Sequence, residues 1–353
     1  MQKFLSKHNI NATTIAVGVS GGSDSLSLVL MAAEQLKVFG YNIIALTVNH
    51  KLRKEANAEA DYVAKVMKNF HIEHHILEWN GDKPETGIEE AARIARYELV
   101  LKWCRENNVK YFMTAHHLRD QAETFLMRLQ RGSGLDGLCC MRECSKYKDL
   151  TILRPLLHTS PSYLEQYLLQ KNIAWVHDCT NDDTNFLRVK MRKFLPELEQ
   201  KTQINLAKFD EAISNLQSAE SFVEEYIYQV ALPKVHTDAY GIISIKYTDF
   251  AAWHKEIKFR IFADLCRKTY IPRADSVLKL VDALEHLPFY GSTLGGKEIF
   301  TAYGKIWIVP EVRAKRKQSR KMWQNFILFH QEYKELKIPH KAKVFILENS
   351  RDL

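Results

Sequence analysis

The sequence has no two cysteines in the Cys-x-x-Cys spacing, although it contains six cysteines. That spacing is the usual signal of a zinc knuckle or of a redox-active dithiol. Neither kind of site is therefore predicted, and we expect the thiols to be free.

Long hydrophobic runs, internal repeats and low-complexity segments are also missing. No stretch approaches the roughly 20 apolar residues that a transmembrane helix requires. Residues 1–11 are mostly polar and contain no apolar core of a secretory signal. We therefore expect a cytoplasmic protein that has no membrane partner.

Acidic residues are outnumbered, since 50 lysines and arginines face 42 aspartates and glutamates, for a net charge of +8. A basic balance suits a polyanionic partner such as nucleic acid, although some soluble enzymes without such a partner are equally basic. The densest basic run places six cations between Arg313 and Lys321. Such a run is typical of a solvated face and, in a basic chain, also of phosphate contacts.

Short apolar segments alternate with longer amphipathic segments through the first half of the chain, which predicts β-α-β units. The predicted strands are Ile15–Val19, Asn42–Val48, His75–Trp79 and Tyr111–Ala115. The predicted fold class is α/β, with a doubly wound, mostly parallel sheet and a smaller mixed α+β domain after it. With 353 residues, the chain is long enough for two or three domains. We predict a first domain over 1–200, a helical linker over 201–230, a second domain over 231–320 and a short extension over 321–353.

A serine- and glycine-rich loop joins the first predicted strand to a helical segment. Its residues are Ser20, Gly21, Gly22, Ser23, Asp24 and Ser25. Backbone N–H groups at the start of a helix bind anions, and glycines allow close approach and a positive φ. The serines add hydroxyl groups, and Asp24 is a candidate Mg²⁺ ligand. The loop is not a Walker A motif, because the Gly-Lys-Ser/Thr ending is missing. The alternative interpretation is a turn that only caps a helix.

A second block, Thr114–Thr124, opens a helix after the fourth predicted strand and contains His116. Asp120 and Glu123 are three residues apart, so they share one helix face. Two carboxylates there would suit a cation, either Mg²⁺ or an ammonium group. The alternative is a solvated acidic pair, which a helix start also favours.

Two arginine pairs have the same helical spacing. Arg93 and Arg96 share a face that could bind phosphate or stack on a base, although Arg93 could simply pair with Glu89 at i,i+4. Arg188 and Arg192 follow a polar turn and line one side of another helix. Alone, this second pair would be a basic surface stripe.

Taken together, the blocks resemble in order and spacing the tRNA(Ile)-lysidine synthase family of the N-type ATP pyrophosphatase superfamily. The matching segments are Ser20–Ser25, Val48–Arg53, Glu90–Arg93 with Arg96–Tyr97, Thr114–Thr124, Arg154–Leu157, Asp178–Asn181 and Phe186–Arg192. The resemblance covers roughly residues 15–198 and implies an ATP-dependent ligase. Such an enzyme joins free lysine to C2 of the wobble cytidine of tRNA(Ile) with a CAU anticodon, through an adenylated cytidine.

The resemblance also implies roles for individual residues. Ser20–Ser25 would hold the β- and γ-phosphates of ATP, with Asp24 on Mg²⁺. Asp120 and Glu123 would bind the lysine ammonium group. Arg96, with Arg93 as a second candidate, and Arg188 would lie near the cytidine or the adenylate. A carboxylate or His116 would remove the proton from the lysine amine.

Two rival functions stay open at this point. A tRNA thiolase of the same superfamily also adenylates a base carbonyl, but such enzymes usually use a cysteine pair or an iron–sulfur cluster. A catalytically silent tRNA-binding protein would not need the Ser20–Ser25 loop or the two acids. For the later segment Gly291–Lys297, which resembles part of a Walker A motif but precedes strand-like sequence, we predict a hairpin loop.

Overall fold

The computed structural model describes residues 1–11, 13–52, 55–81, 83–84, 86–176, 187–267, 271–311 and 337–349. The basic run Arg313–Lys321 and the motif Asp178–Asn181 lie outside the described residues. The chain divides into two compact units, Met1–Glu220 and Ser221–Leu353.

The first unit is built on a mostly parallel sheet. Its strands are β1 (Thr14–Gly18), β2 (Asn42–Asn49), β3 (Glu73–Glu78), β4 (Tyr111–Met113), β5 (Cys144–Tyr147) and β6 (Leu150–Leu153). Their order across the sheet is β3-β2-β1-β4-β6-β5, and only β5 runs antiparallel to its neighbour among these strands. The predicted α/β fold class is confirmed.

The helices of the first unit are α1 (Gln2–Lys7), α2 (Ser23–Leu36), α3 (Ala56–Asn69), α4 (Ile88–Glu106), α5 (Leu118–Gln130), α6 (Leu135–Leu138), α7 (Pro161–Gln170), α8 (Leu187–Thr202) and the start of α9 (Leu206–Tyr226). Helices cover both faces of the sheet: α1, α2, α3 and α7 pack on one face and α4 on the other.

Strand β1 shows why two layers of helices are needed. Ile15 and Val17 pack on one face with α2, α3 and α7, whereas Ala16 packs on the other face with α4. Successive side chains of a strand point to opposite faces, so an apolar strand must be covered on both sides.

The β5–β6 hairpin was not predicted. Its turn places Lys148 at a φ of 54°, and the polar segment Cys144–Tyr147 carries little of the apolar pattern that indicates a strand. Strand β6 pairs parallel with β4 and so ends at the same sheet edge, with Arg154 directly after it.

The second unit contains an antiparallel sheet with helices against it. The strands are β7 (Val235–Thr237), β8 (Ile243–Lys246), β9 (Ser292–Leu294), β10 (Lys297–Ala302) and β11 (Lys305–Pro310). The helices are α10 (Tyr247–Ala252), α11 (Lys255–Leu265), α12 (Ala274–Glu285) and α13 (His340–Asn349). Strands β9 and β10 pair around Gly295 and Gly296, so the predicted hairpin at Gly291–Lys297 is confirmed.

The predicted linker 201–230 contains all of α9 and spans the boundary between the two units. Its role as a linker and the boundaries of the later domains stay predictions. No helix in the described ranges is both long enough and apolar enough to cross a bilayer.

Candidate active site

The Ser20–Ser25 loop lies between the carboxyl end of β1 and the start of α2, as predicted. Gly21 is buried and has a φ of +89°. An added Cβ atom there would lie 3.2 Å from Cγ2 of Val63 and 3.3 Å from Cγ2 of Val176. The backbone N–H of Val176 donates to the Gly21 carbonyl at 2.9 Å. Position 21 therefore accommodates glycine for reasons of both backbone conformation and space.

Ser25 holds the loop in shape from inside. Its hydroxyl donates to the carbonyl of Gly22 at 3.1 Å and accepts the backbone N–H of Ser20, also at 3.1 Å. Ser20 itself is exposed. Gly22 is the N-cap of α2, so the loop ends where helix N–H groups and the positive end of the helix dipole favour an anion.

His117 connects this loop to the predicted acidic pair. Its Nε2 lies 3.4 Å from Oδ2 of Asp24, and its Nδ1 accepts the backbone N–H of Arg119 at 3.2 Å. The backbone N–H of His117 donates to Oδ2 of Asp120 at 3.0 Å. His117 and Asp120 thus form a reciprocal cap at the start of α5.

Asp24 is the predicted magnesium ligand, and its side chain is 39% exposed. In the described ranges, no cluster of three or more His, Cys, Asp or Glu side chains could hold a metal ion. Mg²⁺ is commonly bound through one or two carboxylates together with substrate phosphates. A carboxylate at this position of the loop suits that role, in which the ion would enter with ATP.

Asp120 and Glu123 are both engaged by arginines of α8. Arg188 donates from Nη2 to Oδ1 of Asp120 at 2.8 Å and from Nε to Oε2 of Glu123 at 2.7 Å. Arg192 donates from Nε to Oε1 of Glu123 at 2.8 Å. Glu123 has no exposed surface. The alternative interpretation, in which the two acids are a solvated pair at a helix start, is therefore wrong for Glu123.

The packing of α8 against α5 produces this arrangement. Leu195 of α8 and Ala122 of α5 belong to one apolar cluster, which also contains Phe209 and Ile213 of α9. Arg188 and Arg192 are one turn apart on α8, and this packing places both next to the acids of α5. The structure thus brings together Asp24, Asp120, Glu123 and Arg188 of the predicted site residues.

His116 lies beside this group, and its Nδ1 is 2.9 Å from the Thr114 hydroxyl. The pKa of His116 is lowered to about 4, chiefly by burial; the charge of Asp120 opposes this shift, and the charges of Arg154, Arg188 and Arg93 add to it. His116 is therefore neutral at pH 7 and available as a hydrogen-bonding group, but it is a weak base.

Arg93 and Arg96 lie on α4 and are both exposed. Arg93 lies 5.8 Å from the centre of the Tyr97 ring, and its charge acts on His116. Arg96 instead acts on His50 at the end of β2. The two arginines therefore serve different neighbours, although they share a helix.

The adjacent side chains of His116 and His117 should have widely separated pKa values. Burial lowers the pKa of His117, but the hydrogen bond to Asp24 and the charges of Asp120 and Asp24 outweigh this, so its pKa is raised above 6.5. The contribution of His117 to the free energy of unfolding is therefore full below pH 6.5 and lost as the pH rises through its folded pKa. The contribution of His116 to the free energy of unfolding is full above pH 6.5 and is lost as the pH falls toward 4.

Ring ¹⁵N chemical shifts measured by NMR against pH would test this. We expect His116 to stay neutral down to about pH 4 and His117 to titrate above its ordinary value. Asp24→Asn should lower the pKa of His117 alone, because it removes the negative partner of Nε2. Two superimposed titrations near pH 6.5 would contradict the prediction.

The sequence analysis assigned no role to His117 or Arg154, although both lie in the matching segments, and it did not predict the partnership of Arg192 with Glu123. Histidine is not among the preferred N-cap residues, so only the acid three residues later could have signalled the cap. Arg154 lies just after an unpredicted strand.

The chain was then compared with known proteins. A family model described as a PP-loop domain matches residues 1–198. A tRNA(Ile)-lysidine synthase of Bradyrhizobium diazoefficiens is 31% identical over 336 residues, which cover 88% of this chain and 93% of the relative.

The chain belongs to the tRNA(Ile)-lysidine synthase family.

Other relatives in the tRNA(Ile)-lysidine synthase family are matched over only part of their length. The synthase of Wolbachia pipientis wMel is 35% identical over 276 residues, covering 76% of this chain and 64% of the relative. That of Rhodopseudomonas palustris is 42% identical over 189 residues, covering 53% of this chain and 55% of the relative. The chain thus spans between about half and two thirds of the length of these relatives.

Among solved structures, the U34-tRNA thiolase NcsA of Methanococcus maripaludis aligns with a TM-score of 0.53 at 19% identity. The alignment covers 61% of this chain and 75% of the thiolase. This similarity shows a shared fold and agrees with the PP-loop architecture of the lysidine synthase family.

Proposed function

We propose that this protein ligates free lysine to C2 of the wobble cytidine of a tRNA(Ile) with a CAU anticodon. ATP is consumed, and AMP and pyrophosphate are released. One observation carries the proposal beyond family membership. The Ser20–Ser25 loop and the acids Asp120 and Glu123 lie at the same edge of one sheet, and His117 touches both Asp24 and Asp120.

ATP is needed because the C2 carbonyl of cytosine is stabilised like a urea and its oxygen leaves poorly. In the first step this oxygen attacks the α-phosphorus of ATP, and pyrophosphate leaves. In the second step the ε-amine of lysine attacks C2, a proton is lost, and AMP departs with the former carbonyl oxygen.

In the first step, the proposed role of Ser20–Ser25 is to hold the β- and γ-phosphates at the start of α2. Mg²⁺ bound with ATP would offset phosphate charge, and Asp24 would be its protein ligand. Positioning and electrostatic stabilisation are the main contributions a protein makes to transfer at phosphorus. Arg96, Arg93 and Arg188 are the proposed cationic groups near the cytidine or the adenylate.

In the second step, the ammonium group of lysine would bind to Asp120 and Glu123. It has to displace Arg188 at least in part, because that guanidinium now bridges both acids. Lysine has an ordinary pKa of about 10.4 and is protonated at pH 7. The two carboxylates would raise this pKa, and the guanidinium groups of Arg188 and Arg192 would oppose that rise, since nearby like charges disfavour the charged form. A carboxylate or the neutral imidazole of His116 would then accept the proton.

The wobble base must leave the anticodon stack to reach these groups, as is general for enzymes that modify bases. The net charge of +8 favours association with the tRNA backbone. Because tRNA(Ile), ATP and lysine are cytoplasmic molecules, we propose a cytoplasmic location.

Mass analysis of the wobble nucleoside tests the proposal. The full chain is incubated with tRNA(Ile), ATP and lysine, and lysidine is the expected product. A thiolated nucleoside formed with a sulfur donor would instead identify a thiolase. If the addition of tRNA produces no exchange of labelled pyrophosphate into ATP, the protein is a binding protein without catalysis.

A further inference from the structure

A separate cavity lies between helix α4 and the β5–β6 hairpin of the first unit. Its volume is about 270 Å³, just below the usual range of about 300–1,000 Å³ for ligand pockets. The side chains that define its chemistry are Arg93, Tyr97, Ser145, Lys146, Tyr147 and Arg154. Glu90, Ile94 and Ile152 complete the lining. Three cations and two aromatic rings thus outweigh one carboxylate, and the Ser20–Ser25 loop is not among the described lining residues.

Arg154 is held in place at this cavity. Its Nη1 donates to the carbonyl of Arg142 and to the hydroxyl of Ser145, both at 2.9 Å. Its Nε is buried and has no hydrogen-bond partner in the part of the chain that the structure describes. A buried guanidinium N–H without an acceptor is costly, so an acceptor from a ligand would stabilise this arrangement.

The rings of Tyr97 and Tyr147 form the aromatic part of the lining. Their centroids are 5.0 Å apart with an interplanar angle of 36°. Glu98 accepts a hydrogen bond from the Tyr147 hydroxyl, which fixes that ring. Unstacked bases of single-stranded RNA are commonly held on such rings, with arginine or lysine on the adjacent phosphate.

The cavity is close to the candidate active site. Arg93 and Arg154, which line it, both lower the pKa of His116, as does Arg188 of the acidic cluster. Arg154 follows β6, next to β4 in the sheet, and His116 follows β4. A base placed in the cavity would therefore lie near His116, the candidate acceptor of the lysine proton.

We propose that this cavity binds the target nucleotide after it leaves the anticodon stack, with its base against Tyr97 and Tyr147. Arg93 and Arg154 bind its phosphate and base oxygens. This inference rests on the proposed function and gives it a specific pocket for the RNA substrate, separate from the phosphate loop. Tyr97, Tyr147 and Arg154 become positioning residues for the pyrimidine.

The experiment compares two anticodon stem–loop RNAs that differ only at the wobble position, which is either cytidine or an abasic site. Dissociation constants are measured for the wild-type chain and for Tyr147→Leu, Tyr97→Leu and Tyr147→Phe. Stacking on an aromatic ring should favour the cytidine RNA by about tenfold in the wild type. The leucine variants should bind both RNAs nearly equally, whereas Tyr147→Phe keeps the ring and should keep the preference.

Lysidine formation by the wild type is measured in parallel. If no lysidine is formed, the proposed function fails and the inference falls with it. If lysidine is formed but the folded leucine variants keep the cytidine preference, the pocket is overturned and the function stands. Two other results would also overturn the pocket while the function stands. The wild type could bind both RNAs equally, or the leucine variants could raise only the KM for ATP. Thermal melting shows which variants are folded, and the two leucine variants test the pocket independently.

Discussion

Gly21→Ala should reduce ATP-dependent activity by about a hundredfold or more, because small displacements of groups that position a substrate have effects of that size. The new methyl group would meet Val63 and Val176 at close distances. The backbone would have to leave its φ of +89° or bear left-handed strain. Either change moves the N–H groups of the loop away from the phosphates, so equilibrium dialysis with labelled ATP should show weak or absent binding.

Gly40→Ala provides the matched control. Gly40 has a similar φ of +81°, and no heavy atom of the described chain lies within 4 Å of a Cβ atom added there. Both substitutions should cost about 1 to 2 kcal/mol of stability through left-handed strain, but only Gly21→Ala should lose ATP. Wild-type ATP affinity in Gly21→Ala would remove the phosphate loop from the mechanism.

Glu123→Gln should destabilise the protein and impair the lysine step more than the adenylation step. The carboxylate is fully buried and binds Arg188 and Arg192, and an amide would turn an N–H group toward one of them. Breaking a buried ion pair costs about 3 to 5 kcal/mol. We expect about 2 to 3 kcal/mol here, because both arginines are partly exposed and therefore screened.

The kinetic signature separates the proposed role from a purely structural one. KM for lysine should rise by at least about tenfold, as expected when one charged hydrogen bond is lost, while pyrophosphate exchange in the presence of tRNA persists. Glu197→Gln, in the exposed pair with Lys201 on α8, should change stability by less than about 0.5 kcal/mol. An unchanged lysine KM in folded Glu123→Gln would exclude this acid from lysine binding.

The placement of the Ser20–Ser25 loop between a strand and a helix could be predicted because its signal is local. An apolar strand, a glycine turn and a helix start are consecutive in the sequence, and their combination is typical of an anion site. The shared face of Asp120 and Glu123 is equally local, since it follows from helical periodicity alone. The sheet edge that joins both sites follows from the alternation of strands and helices.

Contacts between distant segments could not be predicted in the same way. Arg188 and Glu123 are 65 residues apart, and their pairing depends on how α8 packs against α5. The cavity beside Tyr97 needs the β5–β6 hairpin, whose first strand is polar and short. For residues like these, helical spacing shows which side chains lie together but not which partner they meet.

The position of His117 has a thermodynamic consequence. One imidazole adjoins both Asp24 and Asp120, so the proposed nucleotide subsite and the proposed lysine subsite share a titratable neighbour. A ligand that changes the charge on Asp24 changes the proton affinity of this ring, and Asp120 responds. Linkage then requires reciprocity: the factor by which ATP alters the affinity for lysine equals the factor by which lysine alters the affinity for ATP.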